Sequence, residues 1–368
     1  MSFKIRNLEI IPFENKFLIR DSLGISKEMI LNRESFILFS MIDGEEKIED
    51  IKSKFLRNTG IILSDFEIIN FIKEMDKNYV FLNENFFKKI EEEKIKMMEM
   101  PFKEIKFSFD FEKIKNEIDK IEFNFSYDIK GMIVPHIDIN VAFDTYLKSY
   151  SYLKKLNKRI FLILGVPHFY SENILSVFPK NYKFLDKIIK VEEEIIKNFK
   201  NKFELDIFKD IIAFKNEHSI EFPIIFLSLI KENFYIIPCL VSRSEKENLK
   251  KIANIIFECI NLFKEEIFLI SSVDLSHVGK KFGDENSFDT TEIDLKYIEY
   301  LKNLENENAF DFIEKNKNFT KIDGVYTNFL FIEILKLFRI EKGEIVDYKK
   351  YYESFTDSIV SYATLIFK

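Results

Sequence analysis

The chain has 368 residues, 46% apolar and 32% charged, a balance that marks a folded, soluble protein and excludes a disordered one. Its net charge of −7 is spread through mixed Lys/Glu stretches, which argues against nucleic acid as a partner, because nucleic-acid binders carry a basic face. The longest apolar runs, such as FPIIFLSLI, reach about half the ~20 residues of a bilayer span, and MSFKIRNLEIIPFE is broken by charges and lacks a signal-peptide core, so a cytoplasmic protein with no membrane segment is expected.

A chain of this length exceeds one small core, and the pattern changes along it. Residues 1–85 read as a small α+β module. NKFLIRD and GISKEMILN form a short hairpin, and ESFILFSMIDG is a helix closed by Gly44. IEDIKSKFLRNTG is a second amphipathic helix, and SDFEIINFIKEMDKNYVFLN a third, capped by Ser64 and running into an extended end. A hairpin with three short helices is winged-helix-like. Residues 86–127 are charge-rich and are expected to act as a linker and lead-in to the second domain, 128–368.

From residue 128 strands and helices alternate. IKGMIVPH, RIFLILG, FYIIPCLV and EIFLISS are buried strands. AFDTYLKSYSYLKKLN, VEEEIIKNFKNKF and SIEFPIIFLSLIKE are helices, and Ser244 with Glu247 forms a capping box for a helix ending near Lys264. GEIVDYKKYYES and SIVSYATLIF close the chain as a pair of strands. This alternation predicts an α/β sandwich about a central sheet, with ligands gathered at the C-terminal ends of strands.

The four histidines all lie in polar motifs beside apolar runs: His136 in GMIVPHID, His168 in FLILGVPH, His218 in NEHSIEFP and His277 in FLISSVDLSH. Imidazole is both the commonest transition-metal ligand and the usual acid/base at neutral pH. His136 and His168 each follow a proline that stiffens the strand exit, so two imidazoles on adjacent strand ends would fall within ligand distance. The third ligand is open at this point, with DLSH and KIDG as candidates. The plain alternative is loop histidines bonded to backbone. Cys239 and Cys259 read as small core residues, which argues against a disulfide or a thiolate zinc site.

At these residues the chain resembles a known family. VPHID, LILGVPH, EHSIEFPIIFL, IIPCLVS, ISSVDLSHVG and DYKKYYESFTDSIVSYATLIF match in order the motifs of the Memo family, the AmmeMemoRadiSam system protein B of prokaryotes, over about residues 128–368. Residues 1–85 resemble, more weakly, the PqqD-type winged-helix module. The resemblance implies a three-layer α/β sandwich like the B subunit of class III extradiol dioxygenases, which use non-haem Fe(II). It carries two metal-binding histidines onto His136 and His168, and an Asp and an acid/base His onto Asp274 and His277. The family's Cys-Gly falls on Asp323-Gly324, so an aspartate stands where the third ligand would be.

His136, His168 and Asp323 would then make a two-His-one-carboxylate set, which favours Fe(II), Mn(II) or Zn(II) over the copper that a thiolate admits. The alternative for Asp323 is a helix N-cap ahead of GVYTNFLFIEILKLF, and for Asp274 and Ser276 a cap of the following turn. His277, oriented by Asp274, reads as a general base. His218 and Glu221, one helical turn apart, are expected to support the ligands from behind. Three functions follow: a metal-dependent redox enzyme working with radical-SAM and AMMECR-type proteins; an accessory protein whose N-terminal module grips a peptide by strand addition; and a metal-dependent hydrolase.

Overall fold

The computed structural model describes residues 3–42, 44, 46–107, 109–121, 128–169 and 171–368, and the chain divides into two units, Met1–Met100 and Pro101–Lys368. The first unit contains β1 (Glu9–Phe13), β2 (Lys16–Arg20) and β3 (Met29–Asn32), an antiparallel sheet in that order. The hairpin expected from sequence is β2 with β3. β1 is the strand the sequence hides, since Pro12 lacks a backbone N–H; it is tolerated because β1 is an edge.

Four helices follow: α1 (Arg33–Ser40), α2 (Ile48–Thr59), α3 (Asp65–Lys77) and α4 (Glu84–Glu99). Asn32 caps α1 by accepting from the Ser35 N–H, and Ser64 with Glu67 forms a full capping box on α3. α2 ends on Gly60 at φ +72°, a left-handed turn that glycine takes without strain. α1, by contrast, ends at Ser40, short of Gly44. Gly44 instead lets the chain pass close by, since a Cβ there would stand 2.9 Å from the Lys4 nitrogen.

Ile19, Leu31, Phe39, Met75, Val80 and Phe81 form one apolar cluster, and Leu38, Ile51, Phe55 and Ile68 a second. A buried ion pair lies in the same unit: Arg6 Nη2 is 2.8 Å from Asp21 Oδ2.

The second unit is a mixed sheet flanked by helices, the α/β architecture that the alternation implies. Its elements are β4 (Phe102–Glu104), α5 (Phe111–Lys120), β5 (Gly131–Val134), α6 (Phe143–Ser151), β6 (Ile160–Gly165), β7 (Leu175–Val177), β8 (Asn181–Phe184) and β9 (Lys187–Val191). There follow α7 (Glu193–Lys202), α8 (His218–Ile230), β10 (Tyr235–Val241), α9 (Lys246–Ile260), β11 (Ile267–Ser272) and β12 (His277–Gly279). The chain closes with α10 (Thr291–Lys302), α11 (Asn306–Lys315), α12 (Val325–Leu337), β13 (Gly343–Glu353) and β14 (Ser358–Phe367).

The strand order is β12-β14-β5-β11-β6-β10-β9-β8-β4, with β13 on β14 and β7 on β10. β5, β11, β6 and β10 are mutually parallel, and β14 adds antiparallel to β5. Every residue of β5, β6 and β11 is buried, as parallel strands covered on both faces require. On one face Leu162, Leu164 and Leu269 meet α7, α9 and α10–α12 in a single core cluster. On the other, α5, α6 and α8 pack together, and Tyr146 and Tyr150 of α6 stack on Phe226 of α8 with centroids 4.8 and 4.7 Å away.

One local expectation is corrected. Ser244 and Glu247 do not cap α9: its N-cap is Glu245 without a side-chain bond, and Ser244 Oγ accepts from the Asn248 amide instead. The two cysteines sit in the core as expected, and burial pushes both thiols up, Cys259 to about 11.

Candidate metal centre

Three adjacent strands deliver the site. His136 lies just beyond β5, Asp274 just beyond β11 and His168 just beyond β6. β11 comes late in the chain yet is inserted between β5 and β6, so the strand order reverses here. That reversal opens the crevice in which open α/β sheets bind ligands. Two helix starts complete the set: His218 is the first residue of α8, and Asp323 precedes Gly324, the N-cap of α12.

Close backbone approach sets both helix starts. A Cβ on Gly165 would fall 2.4 Å from Ser219 Oγ, which bonds the Val166 carbonyl at 3.0 Å and so pins α8 to the end of β6. A Cβ on Gly324 would fall 2.4 Å from Val273 Cβ, next to Asp274. Gly324→Ala is therefore expected to push Asp323 away from Asp274 and to cost about 1–3 kcal/mol of stability, read by urea denaturation. An unchanged midpoint would show that the contact yields freely.

The imidazoles converge. Ring centroids are 4.9 Å apart for His136 and His168, 5.1 Å for His136 and His218, and 4.2 Å for His168 and His218. One nitrogen from each of these rings lies within 4.8 Å of the others, and one atom each of His136, Asp274 and Asp323 meets the same limit. His136 Nδ1 donates to the Ser272 carbonyl at 3.0 Å, leaving Nε2 to face Asp323 Oδ2 at 2.9 Å and Asp274 Oδ2 at 3.7 Å. The carboxylates are themselves held: Asp274 Oδ1 accepts from the His136 N–H at 3.0 Å, and Asp323 Oδ1 from the Asp274 N–H at 3.1 Å.

Charge follows from this geometry. Burial alone would lower the His136 pKa, but Asp274 and Asp323 outweigh it and raise it to about 10. Burial would raise Asp323, yet His136 holds it below the usual carboxylate range. His218 is pushed down to about 3 by burial and by the neighbouring His168 and His136. It is thus a neutral imidazole, the form that ligates.

His136 with His168 and His136 with Asp323 each fit part of a metal site, but His168 and Asp323 fall in different groups, so the expected set of His136, His168 and Asp323 is not brought within 4.8 Å as a whole among the described residues. Asp323 Oδ2 is buried and its one close polar neighbour among the described residues is His136 Nε2, an ion-pair contact at 2.9 Å. With the His136 proton displaced, both atoms could serve as ligands of one ion. The cap alternative for Asp323 is excluded, because the N-cap of α12 is Gly324 with no side-chain bond.

Other expected residues fall differently. His218 lies among the ligand nitrogens rather than behind them. Glu221 is paired with Lys103 of β4, not with a histidine. His277 lies outside both candidate ligand groups. Its Nδ1 is 2.9 Å from the Leu275 carbonyl and 3.1 Å from that of Lys321, while Asp274 turns to His136.

The residue that sequence reasoning missed is Glu217. Fully buried, it accepts from His168 Nδ1 at 2.8 Å, from the His168 N–H at 2.9 Å and from the Ser219 N–H at 3.0 Å. Burial would raise its pKa, but His168 brings it down to about 2. The signal was present as an acidic residue at the N-cap of the helix that opens on His218. A carboxylate on the far nitrogen of a ligating histidine fixes the tautomer and the ring. Glu217→Gln is expected to lower metal affinity about 10–100-fold, measured by competition with a chelator, without unfolding the chain.

The fold and the site together define an α/β protein with two candidate metal-ligand groups, one of three imidazoles and one of an imidazole and two carboxylates, that share His136 at the switch point of its sheet. The model of the family described as Memo-like protein matches residues 107–366. A MEMO1 family protein of Aquifex aeolicus is 36% identical over 374 residues, covering 100% of both chains. Another, from Thermus thermophilus, is 24% identical over 87% of this chain and 98% of its own. The chain belongs to the Memo-like family. The solved structure of the uncharacterized protein JW3007 of Escherichia coli K12 covers 66% of this chain and 100% of its own at 11% identity, with a TM-score of 0.36, too slight a likeness to inform the fold. No helix among the described residues is long and apolar enough to cross a membrane.

Proposed function

We propose that this Memo-like protein binds one divalent metal ion, Fe(II) by preference, through His136, His168 and Asp323, and serves as a metal-dependent oxidoreductase in the cytoplasm. The observation that carries this reading is the convergence of imidazole nitrogens and carboxylate oxygens in two groups that share His136. Two imidazoles and a carboxylate are the donor set of non-haem Fe(II) oxygenases, and a carboxylate in place of a thiolate disfavours Cu(I). Such an ion, when bound, supplies Lewis acidity and one-electron chemistry.

The chain's own residues prepare the site. The Ser272 carbonyl and Glu217 occupy the Nδ1 atoms of His136 and His168, so each ring presents Nε2. Asp274 holds the backbone of His136 and is itself tied to Asp323, which orients the carboxylate. His277 donates its Nδ1 proton to backbone carbonyls, which leaves Nε2 free to take a proton from a substrate as general base. Radical-SAM and AMMECR-type proteins are the partners that the family resemblance suggests.

The test is elemental analysis of the protein purified without oxygen. About one equivalent of Fe(II) or another divalent ion is expected. A chain that arrives metal-free and refuses every added divalent ion would overturn the reading, and a strict preference for zinc would turn it from redox chemistry to hydrolysis.

A further inference from the structure

We propose that Asn318, which lies outside both candidate ligand groups, is a positioning residue for Asp323 and His277 together. Its side-chain amide locks the turn between α11 and α12. That one loop then delivers the Asp323 carboxylate to His136 and two backbone carbonyls to His277. The inference rests on the proposed function in treating Asp323 as a ligand and His277 as a base.

The loop begins where α11 ends. The Lys317 N–H donates to the Glu314 carbonyl at 2.8 Å and the Asn318 N–H to the Ile313 carbonyl at 2.9 Å, the bond pair of a Schellman turn. Lys317, at φ +53°, takes the left-handed place that glycine usually fills there. Closing the helix needs only that one residue. The chain nonetheless adds two more, Asn318 at φ +43° and Lys321 at φ +55°, and each is strained backbone that other bonds have to hold.

Asn318 supplies those bonds. Its Nδ2 donates to the Ile322 carbonyl at 2.8 Å, and its Oδ1 accepts from the Ile322 N–H at 2.9 Å. Its own carbonyl accepts from the Lys321 N–H at 2.9 Å. Both backbone polar groups of the residue before Asp323 are thus fixed by one side chain. Ile322 is itself buried in the core, so the loop closes on a fixed point. Lys321 Nζ ties down the outer edge, reaching both oxygens of Asp284 at 2.7 and 2.8 Å, and Asp284 accepts from the Gly279 N–H of β12 at 2.9 Å.

What the clamped loop presents is the site. The Thr320 carbonyl accepts from the His277 N–H at 2.7 Å, and the Lys321 carbonyl from His277 Nδ1 at 3.1 Å. At the far end Asp323 Oδ1 accepts from the Asp274 N–H at 3.1 Å, and Oδ2 faces His136 Nε2 at 2.9 Å. A residue that only closed α11 would need neither bond to Ile322. Left-handed residues held by so many bonds cluster where a side chain has to be aimed.

NMR of the full chain, labelled with nitrogen-15 at its four histidines and stripped of metal, tests this. Asn318→Gly removes the clamp without adding strain, because glycine accepts φ +43°. The His277 amide is expected to exchange about tenfold faster and the His136 ring signals to move, while those of His168 and His218 stay in place. Lys317→Gly, which relaxes the helix end and leaves the clamp, should move none of them. Co(II) affinity, measured by competition with a chelator, should fall about tenfold in Asn318→Gly, with a changed visible spectrum. Unmoved His136 and His277 signals would overturn the proposal. So would all four histidines moving together, the mark of general loosening, or Lys317→Gly acting like Asn318→Gly. Unchanged Co(II) affinity in Asn318→Gly, beside a wild type that binds Co(II), would overturn it as well. A wild type that refuses Co(II) sinks the metal reading alone, because the histidine signals are read without metal.

Discussion

His168→Ala is expected to lower divalent-metal affinity by more than about a hundredfold, beyond the loss from removing a group that only supports a ligand. The His168 side chain is 31% exposed, but its removal strands the buried Glu217 carboxylate that accepts from its Nδ1 at 2.8 Å, so thermal unfolding must accompany this measurement. His136→Ala should abolish binding too, and its ring lies between the carboxylates of Asp274 and Asp323. Removing it leaves Asp274 and Asp323 facing each other, so thermal unfolding must accompany the metal measurement. The third ligand is decided by comparison, since the two candidate groups share only His136. Asp323→Ala is expected to match His168→Ala, and His218→Ala to lose less. If Asp323→Ala keeps full affinity while His218→Ala loses it, the site is a three-histidine one and the carboxylate is a bystander.

The second large effect lies in the first unit. Asp21→Ala is expected to destabilise it by about 3–5 kcal/mol, the cost of stranding one member of a buried ion pair. The Asp21 carboxylate faces Arg6 with side chains only 2% and 6% exposed, and it also accepts the N–H groups of Leu23, Ile25 and Ser26. The sign with pH follows from its pKa. Burial pushes that carboxyl up, but Arg6 and the backbone donors win, so it lies below the ordinary value of 3.8 in the folded chain. A depressed folded pKa contributes stability above the unfolded value and loses it as pH falls through the folded one. The gap between wild type and Asp21→Ala should therefore be full at neutral pH and close below about pH 4. Hydrogen exchange in α3 reads the opening of this unit. Equal protection in both proteins at neutral pH would show that the pair contributes nothing. The apolar double variant Arg6→Met/Asp21→Leu should recover much of the loss, because neither charge is then stranded.

The elements were legible because they are local. β6 reads as a strand from IFLILG alone, and the Ser64–Glu67 capping box from residues three apart. β1 was hidden by Pro12, and Ser244 read as a cap although the helix begins one residue later. Both errors come from single residues whose local preference was outweighed by pairing across the sheet or by the line of the following helix.

The candidate site divides the same way. Sequence by itself determined that four histidines stand at the ends of apolar runs, and that an aspartate-glycine step precedes the last long helix. Only the tertiary structure decided which of these meet. The insertion of β11 between β5 and β6 sets Asp274 against His136, and the packing of Ser219 on Gly165 swings His218 in among the other imidazoles. It also makes Glu217, rather than Glu221, the partner of His168 and turns Glu221 to Lys103 on a distant strand. Spacing along the chain carries the period of a helix or strand. It does not carry the order in which strands join a sheet, and that order brings side chains more than a hundred residues apart to one point.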